Sequence, residues 1–341
     1  MDLTPKATRD AFGDALMEIA ASDARVVALT ADLGDSLRLT KFGEMFKDRF
    51  FDVGVAEQNM MGIAAGLALD GKIPFAASFA VFSPGRNWDQ IRVSVAYNNA
   101  NVKIIGGYVG FSNGKDGATH QALEDIALMR VLPNMVVLDP ADYEQTFSAM
   151  KTIYNFVGPV YLRIRRDPIM SVRATIYGLK QNKAEGSEDM IDPQDFKIGG
   201  ADVLKNGNDV TIIATGAMVN VALHASVELA KQRISARVIN LYSIKPINRE
   251  IILAAAQETS AFVTVEEHQY MGGMGSAVAE VVVQDFPVPM KIIGSNNIFG
   301  ETGTQDQLLQ SRGLTVENVV NNVISVLKLK KPILQNSKST V

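Results

Sequence analysis

The chain has 341 residues, 47% of them apolar, and a formal net charge of −4, which allows two ordinary α/β domains with separate cores and gives no support for nucleic-acid or anionic-membrane binding. It has no cysteine and three histidines, His120, His224 and His268, so disulfides, thiolate metal sites, cysteine nucleophiles and a multi-histidine metal centre drop out. The opening Met1-Asp2-Leu3-Thr4-Pro5-Lys6 lacks a basic-then-apolar signal pattern and no long uncharged apolar run occurs, which reads as a soluble cytoplasmic protein.

Strand-like runs alternate with amphipathic segments of helix length, the pattern of a mostly parallel α/β sheet. In the first half the strands are predicted at 26–30, 50–55, 73–79, 102–107, 135–138 and 160–164, with helices at 8–21, 57–69, 84–97, 122–130 and 143–154. The stretch 167–199 breaks the rhythm with Lys183, Glu185, Glu188, Asp189 and Asp192-Pro193 and reads as a linker with an exposed loop. Alternation resumes with strands at 210–215, 237–240, 262–266 and 291–294 and helices at 219–232, 248–257 and 275–283. The domains expected are therefore 1–167, a linker or insert at 168–199, 200–330, and a solvated tail at 331–341 rich in Lys, Ser and Thr.

The most informative stretch is Phe51-Asp52-Val53-Gly54-Val55-Ala56-Glu57-Gln58-Asn59-Met60-Met61, an apolar strand running straight into a helix with Glu57 at the junction. An acid there ordinarily complements the free N–H groups of the first helical turn. Here its neighbours are mostly apolar and the helix carries no further charge until Asp70, and a carboxyl group in such surroundings exchanges protons more readily near neutrality. The stretch resembles the pyrimidine-domain signature of transketolases and their thiamine diphosphate relatives. That resemblance implies that Glu57 binds N1′ of the cofactor's aminopyrimidine and acts as the proton switch of the site.

Gly114-Lys115-Asp116-Gly117-Ala118-Thr119-His120-Gln121 is a glycine-rich loop opening a predicted helix, and such loops at the carboxyl edge of a parallel sheet hold ligands. A lone loop histidine is also commonly structural or merely solvated. The octet resembles the transketolase pattern Gly-Glu-Asp-Gly-Pro/Ala-Thr-His-Gln. By that resemblance His120 hydrogen-bonds substrate hydroxyl and carbonyl oxygens and moves protons, and Asp116 contacts the sugar C2 hydroxyl. Imidazole titrates near the working pH and a carboxylate accepts strong bonds from hydroxyls, so the chemistry suits the roles.

The segment from Ser78 to Gln90 holds Phe79, Phe82 and Arg86. The resemblance implies an aromatic stacked on the aminopyrimidine, and both Phe79 and Phe82 are candidates; either can equally be core. It further places Arg86 and Asp32 on the cofactor side. Arg9, Ser36 and Arg166 match the positions that grip a sugar phosphate, where a guanidinium donates two parallel bonds without losing its charge; taken singly, each arginine also suits a surface ion pair. Two departures fall in this pocket: Tyr108 stands where transketolases usually carry a phosphate-contacting His, and Lys115 where they carry Glu. A sugar phosphate, or a sugar with another anionic group such as a sulfonate, is expected.

No Gly-Asp-Gly occurs in the chain, although the family marks its Mg²⁺- and diphosphate-binding module with that motif and a later Asn. Met271-Gly272-Gly273-Met274-Gly275-Ser276 precedes a predicted helix, and its N-terminus could cradle a phosphate or simply pack. With Glu266-Glu267-His268 it resembles the family's C-terminal domain, which takes no direct part in the cofactor site. The whole resemblance implies a pyrimidine-binding parallel-sheet domain followed by a transketolase C-terminal-like α/β domain. A separate N-terminal subunit would then supply the diphosphate-binding domain, with two copies of each chain as the natural assembly and a large exposed apolar face on this one. Rival readings are the β subunit of a 2-oxoacid dehydrogenase, a deoxyxylulose-phosphate synthase relative, and a non-catalytic regulatory subunit of the same fold.

Overall fold

The computed structural model describes residues 3–330; the predicted tail lies outside them. Six parallel strands in the first half, β1 (Val26–Thr30), β2 (Phe50–Asp52), β3 (Ile73–Phe79), β4 (Lys103–Gly107), β5 (Val136–Leu138) and β6 (Val160–Ile164), form one sheet in the order β5-β6-β4-β3-β1-β2. β1, β3, β4 and β6 are buried along their whole length, because a parallel sheet is covered by helices on both faces. The connecting helices are α1 (Thr8–Ser22), α2 (Thr40–Met45), α3 (Glu57–Leu69), α4 (Trp88–Gln90), α5 (Asp125–Arg130) and α6 (Tyr143–Asn155). Phe12, Leu16 and Ile19 of α1 join Ala149, Met150 and Ile153 of α6 in one core, while Met60, Met61 and Ala64 of α3 build another with Ile91 and Val95.

Several boundaries differ from expectation. The strand expected at 50–55 ends at Asp52, where a turn with Gly54 at φ +69° takes over. The helix expected at 84–97 is α4 followed by a π-helical segment, Ile91–Tyr97. The stretch 167–199 is more than a linker: it contains α7 (Val172–Gln181), capped by the Ser171 hydroxyl, which accepts from Ala174 N. Its charges face solvent while Val172, Ala174 and Ile176 are buried, as are Met190 and Phe196 further on.

The second half builds a five-stranded sheet from β7 (Asp202–Lys205), β8 (Val210–Ala214), β9 (Ala236–Asn240), then after β10 (Ser243–Lys245) from β11 (Phe262–Gln269) and β12 (Met290–Ser295), in the order β12-β11-β8-β9-β7. Its helices are α8 (Met218–Lys231), α9 (Arg249–Thr259), α10 (Met274–Asp285), α11 (Gln305–Ser311) and α12 (Val316–Leu327). β10 leaves this sheet and pairs antiparallel with β5, extending the first sheet to seven strands. Lys245 of β10 also donates through Nζ to Arg130 O and Leu132 O. One apolar cluster runs across the junction, joining Met129 and Leu132 to Ile239, Leu241, Ile244 and Ile252. The two halves are thus tied by a strand that the second half lends to the first sheet and by a shared core.

Candidate functional site

The first sheet delivers most of the expected residues to its carboxyl edge, where open α/β sheets bind ligands. β2 leads into Glu57, β3 ends in Phe79 with Phe82 just beyond, β4 runs into Tyr108, and β6 is followed by Arg166. Asp52 at the end of β2 organises the nearer loops, its Oδ1 accepting from Asp32 N at 2.9 Å and Gly54 N at 3.0 Å. Asp32 itself has φ +61° and stands exposed.

Glu57 is the first residue of α3, and no side chain caps that helix. Its side chain is 3% exposed and meets Arg86 NH1 at 3.3 and 3.4 Å from the two carboxylate oxygens. Arg86 lies half exposed, its guanidinium carbon 4.1 Å from the centre of the Phe82 ring. Phe82 meets His120 edge-on at 5.2 Å and Phe79 at 6.1 Å. Asn87 supports the corner: its Nδ2 donates to Glu57 O and to Ser83 Oγ, both at 3.1 Å. Glu57, Arg86, Phe82 and His120 therefore form a continuous row.

A second row starts from Phe79, which is buried with its ring 4.2 Å from Tyr108. Tyr108 lies with φ +58° and has the guanidinium carbons of Arg9 and Arg166 at 5.5 and 5.8 Å from its ring centre. Arg9 NH1 donates to Tyr108 Oη and, at 3.0 Å, to Ser36 O. Tyr108 is thus close to both arginines, and the Ser36 backbone carbonyl accepts from Arg9 and from Tyr108 Oη. Arg9 Nε is buried without a hydrogen-bond partner, a donor left to be satisfied by something else. Burial raises the Asp167 carboxyl above the usual range, Arg166 and Arg9 acting the other way.

The glycine-rich loop is pinned into short turns. His120 N donates to Gly117 O at 3.0 Å, Gly117 takes φ +74°, and Thr119 Oγ1 lies 2.9 Å from His120 Nδ1. Lys115 and Asp116 are exposed, and no side-chain bond among the described residues joins either one to Arg9, Arg166 or Glu57.

The sequence reading missed two groups. Asn87 follows from nothing in its local pattern. Glu267 belongs to β11 of the second sheet, yet its Oε1 accepts from Phe111 N, at the root of the His120 loop, at 2.7 Å; three consecutive polar residues in an apolar strand were the available signal. The loop between β12 and α11 also touches the His120 loop, with Gly303 N donating to Gly114 O at 3.0 Å and Gln121 Nε2 to Glu301 O at 2.8 Å. The glycine-rich start of α10 is already occupied, because the Glu266 carboxylate accepts from Met274 N at 2.6 Å and Gly275 N at 2.7 Å.

The family model described as transketolase, pyrimidine binding domain, matches residues 4–170, and that described as transketolase, C-terminal domain, matches 199–319. A 6-deoxy-6-sulfo-D-fructose transketolase subunit from Clostridium sp. is 41% identical over 94% of this chain and 95% of its own length. An apulose-4-phosphate transketolase subunit from Phocaeicola vulgatus is 36% identical over 94% of this chain and 98% of its own. The solved structure of a split-gene transketolase in an inactive β4 tetramer superposes with a TM-score of 0.84 at 44% identity, covering 95% of this chain and 99% of that one.

Proposed function

The chain belongs to the transketolase family, and from that premise we propose that it is the pyrimidine-side subunit of a two-chain, thiamine diphosphate-dependent transketolase. It moves a two-carbon ketol unit from a ketose to an aldose, with an N-terminal subunit as its partner in a cytoplasmic α2β2 assembly. The observation that carries the reading is the Glu57 corner: a buried carboxylate with one long-range charged partner, beside a partly buried aromatic ring and a loop histidine.

These residues fit the pyrimidine end of the cofactor. Glu57 would hold a proton at the pyrimidine ring nitrogen, Phe82 offers its ring face for stacking, and Arg86 and Asp32 line the same side. Phe79 is committed to Tyr108 and suits a supporting role. When bound, thiamine diphosphate supplies the electron sink for cleaving the bond next to a ketose carbonyl. His120 then moves protons at the substrate's hydroxyl and carbonyl oxygens, and Asp116 accepts from its C2 hydroxyl. Arg9, Ser36 and Arg166 grip a distal anion, with Tyr108 close to both arginines and Lys115 at the rim. The relatives named for a sulfo-sugar and for a sugar phosphate make both anions candidates.

The diphosphate end does not fit this chain, which contains no Gly-Asp-Gly; the partner would hold Mg²⁺ and the diphosphate. An exposed apolar surface supports a partner. Val55 at 70%, Leu69 at 68% and Tyr97 at 85% exposure lie on or beside α3, where Gly62 and Gly66 leave open space. Solvent-facing large apolar groups in one neighbourhood mark interaction surfaces. No helix among the described residues is long and apolar enough to cross a membrane. The test is calorimetry of thiamine diphosphate with Mg²⁺, on this chain alone and mixed with a subunit that carries Gly-Asp-Gly. Binding in the mixture alone supports the reading, and absence of binding in an assembled complex overturns it.

A further inference from the structure

β11 carries Glu266, Glu267 and His268 through the middle of the molecule, all of them fully buried. Glu267 is the one that reaches the first domain's site. Its Oε1 accepts from Phe111 N at 2.7 Å and its Oε2 from Arg165 Nε at 3.3 Å. Phe111 opens the segment that runs through Lys115 and Asp116 to His120. The approach is close enough to dictate the neighbouring residue: a Cβ on Gly110, which has φ +62°, would fall 2.4 Å from the Glu267 carboxyl carbon. Gly110 N in turn donates to Ala122 O at 2.9 Å, closing the base of the loop.

The other oxygen faces the arginine side. Arg165 NH1 and NH2 hold Asp139 at 2.7 and 3.2 Å, and Arg163 bridges Asp139 and Asp125. Arg165 also carries the segments that bear the distal grip, its N donating to Thr8 Oγ1 at 2.6 Å and its O accepting from Arg9 N at 3.1 Å. Arg166 follows directly in the chain. A single carboxylate from the second domain is therefore bonded both to the root of the His120 loop and to the arginine behind Arg9 and Arg166.

We propose that Glu267 is a positioning residue for the substrate site, through which the second domain sets the His120 loop relative to the Arg9–Arg166 grip. The loop of residues 296–304, also from the second domain, braces the far side of the same loop. A Cβ on Gly114 would meet Gly303 O at 2.4 Å, and one on Gly117 would meet Thr302 Oγ1 at 2.8 Å. The functional half of this inference rests on reading His120 and the arginines as substrate contacts; the geometric half does not.

Two substitutions separate positioning from plain stability. Glu267→Asp keeps the negative charge facing Arg165 and withdraws the carboxylate from Phe111 N–H. Glu267→Gln keeps an acceptor for Phe111 N–H and removes the charge, leaving a buried guanidinium less balanced. Positioning therefore makes Asp the worse variant for the loop and Gln the worse variant for stability. In the assembled enzyme, Glu267→Asp lowers kcat/KM for the ketose by on the order of tenfold to a hundredfold, the scale of a misplaced catalytic group. Glu267→Gln retains more activity although it melts at a lower temperature, and thiamine diphosphate affinity at the Glu57 end stays unchanged in both. In the full chain alone, amide hydrogen exchange at residues 111–121 speeds up in Glu267→Asp more than in Glu267→Gln. Activity and exchange that merely follow the melting temperatures, or an Asp variant with native exchange, overturn the proposal. If the unsubstituted enzyme shows no ketol transfer, the functional reading fails and the exchange comparison still decides whether Glu267 sets the loop.

Discussion

Glu57 and Glu266 each bring a carboxylate to the start of a helix, Glu57 as the first residue of α3 and Glu266 from strand β11 against α10, yet the first keeps one flexible partner and the second is enclosed by backbone. Glu57 is reached by Arg86 NH1 at 3.3 Å, and Arg86 is itself half exposed. Glu266 accepts two short backbone bonds at the start of α10 and has no exposure. Burial pushes the Glu266 carboxyl up to about 7, with the two N–H groups acting the other way. The comparison teaches that burial of a carboxylate does not by itself make a site. What matters is whether its hydrogen-bonding capacity is used up by the protein or left open beside a surface that a ligand can reach.

The largest effect expected from breaking this contrast is at Glu57. Glu57→Gln preserves size and removes the carboxylate to which we assign the acid–base function, so ketol transfer in the assembled enzyme is expected to fall by on the order of 10²–10⁴-fold. The melting temperature stays close to that of the unsubstituted chain. A variant with native turnover would remove Glu57 from the chemistry altogether.

Glu266 answers in stability rather than in turnover. Its pKa rises from 4.5 in the unfolded chain to about 7 in the folded one, so the native state holds the proton more tightly. The stability this adds is fully present below pH 4.5 and is lost as the pH climbs through 7, a change on the order of 3 kcal/mol. Glu266→Gln removes that dependence. Denaturant unfolding of the two proteins at pH 5 and pH 8 checks it, and parallel pH profiles would count against the assignment.

Gly273→Ala tests the enclosure from the other side. A Cβ there would lie 2.2 Å from Glu266 Oε2, and forcing such a contact costs about 2 kcal/mol. Thermal unfolding reads the loss. An equivalent Gly54→Ala change near Glu57 meets no atom within 4 Å, and strains the chain only through its φ of +69°, so the contrast between packed and open corners is measurable.

The parts legible in sequence are those governed by local pattern. The parallel strands, α3 and the His120 loop follow from apolar runs, helical spacing and glycine placement. Glu57 could be picked out because its flanks are apolar. What was not legible depends on distant partners. β10, three residues long, is a strand because β5 offers an edge across the junction. α7 hid among charges because only Val172, Ala174, Thr175 and Ile176 are buried, too few to impose a clear period. Arg163 and Arg165, buried at alternate positions of β6 and beyond, are tolerated because Asp125, Asp139 and Glu267 converge on them. No short window of sequence contains that balance, and for the same reason neither the Asn87 contact with Glu57 nor the reach of Glu267 to Phe111 could be read from sequence, although Glu267 itself stood out in a polar run.

The smallest effect belongs to Arg86, and it sharpens the comparison most directly. Besides its long contact with Glu57, the Arg86 guanidinium covers Phe82, and its backbone donates to Phe82 O at 2.8 Å and accepts from Gln58 Nε2 at 3.2 Å. Arg86→Lys keeps the positive charge near Glu57 and loses the flat group stacked on the ring, since an ammonium is a compact point charge on a flexible stem. Turnover is expected to drop by roughly threefold to tenfold, the scale of one exposed contact, with no change in thermal unfolding. If Glu57 were finished by Arg86 as Glu266 is by α10, the same change would unfold the corner and lower the melting temperature. A loss confined to turnover would instead mark Arg86 as a movable cover over a carboxylate that is meant to meet something else.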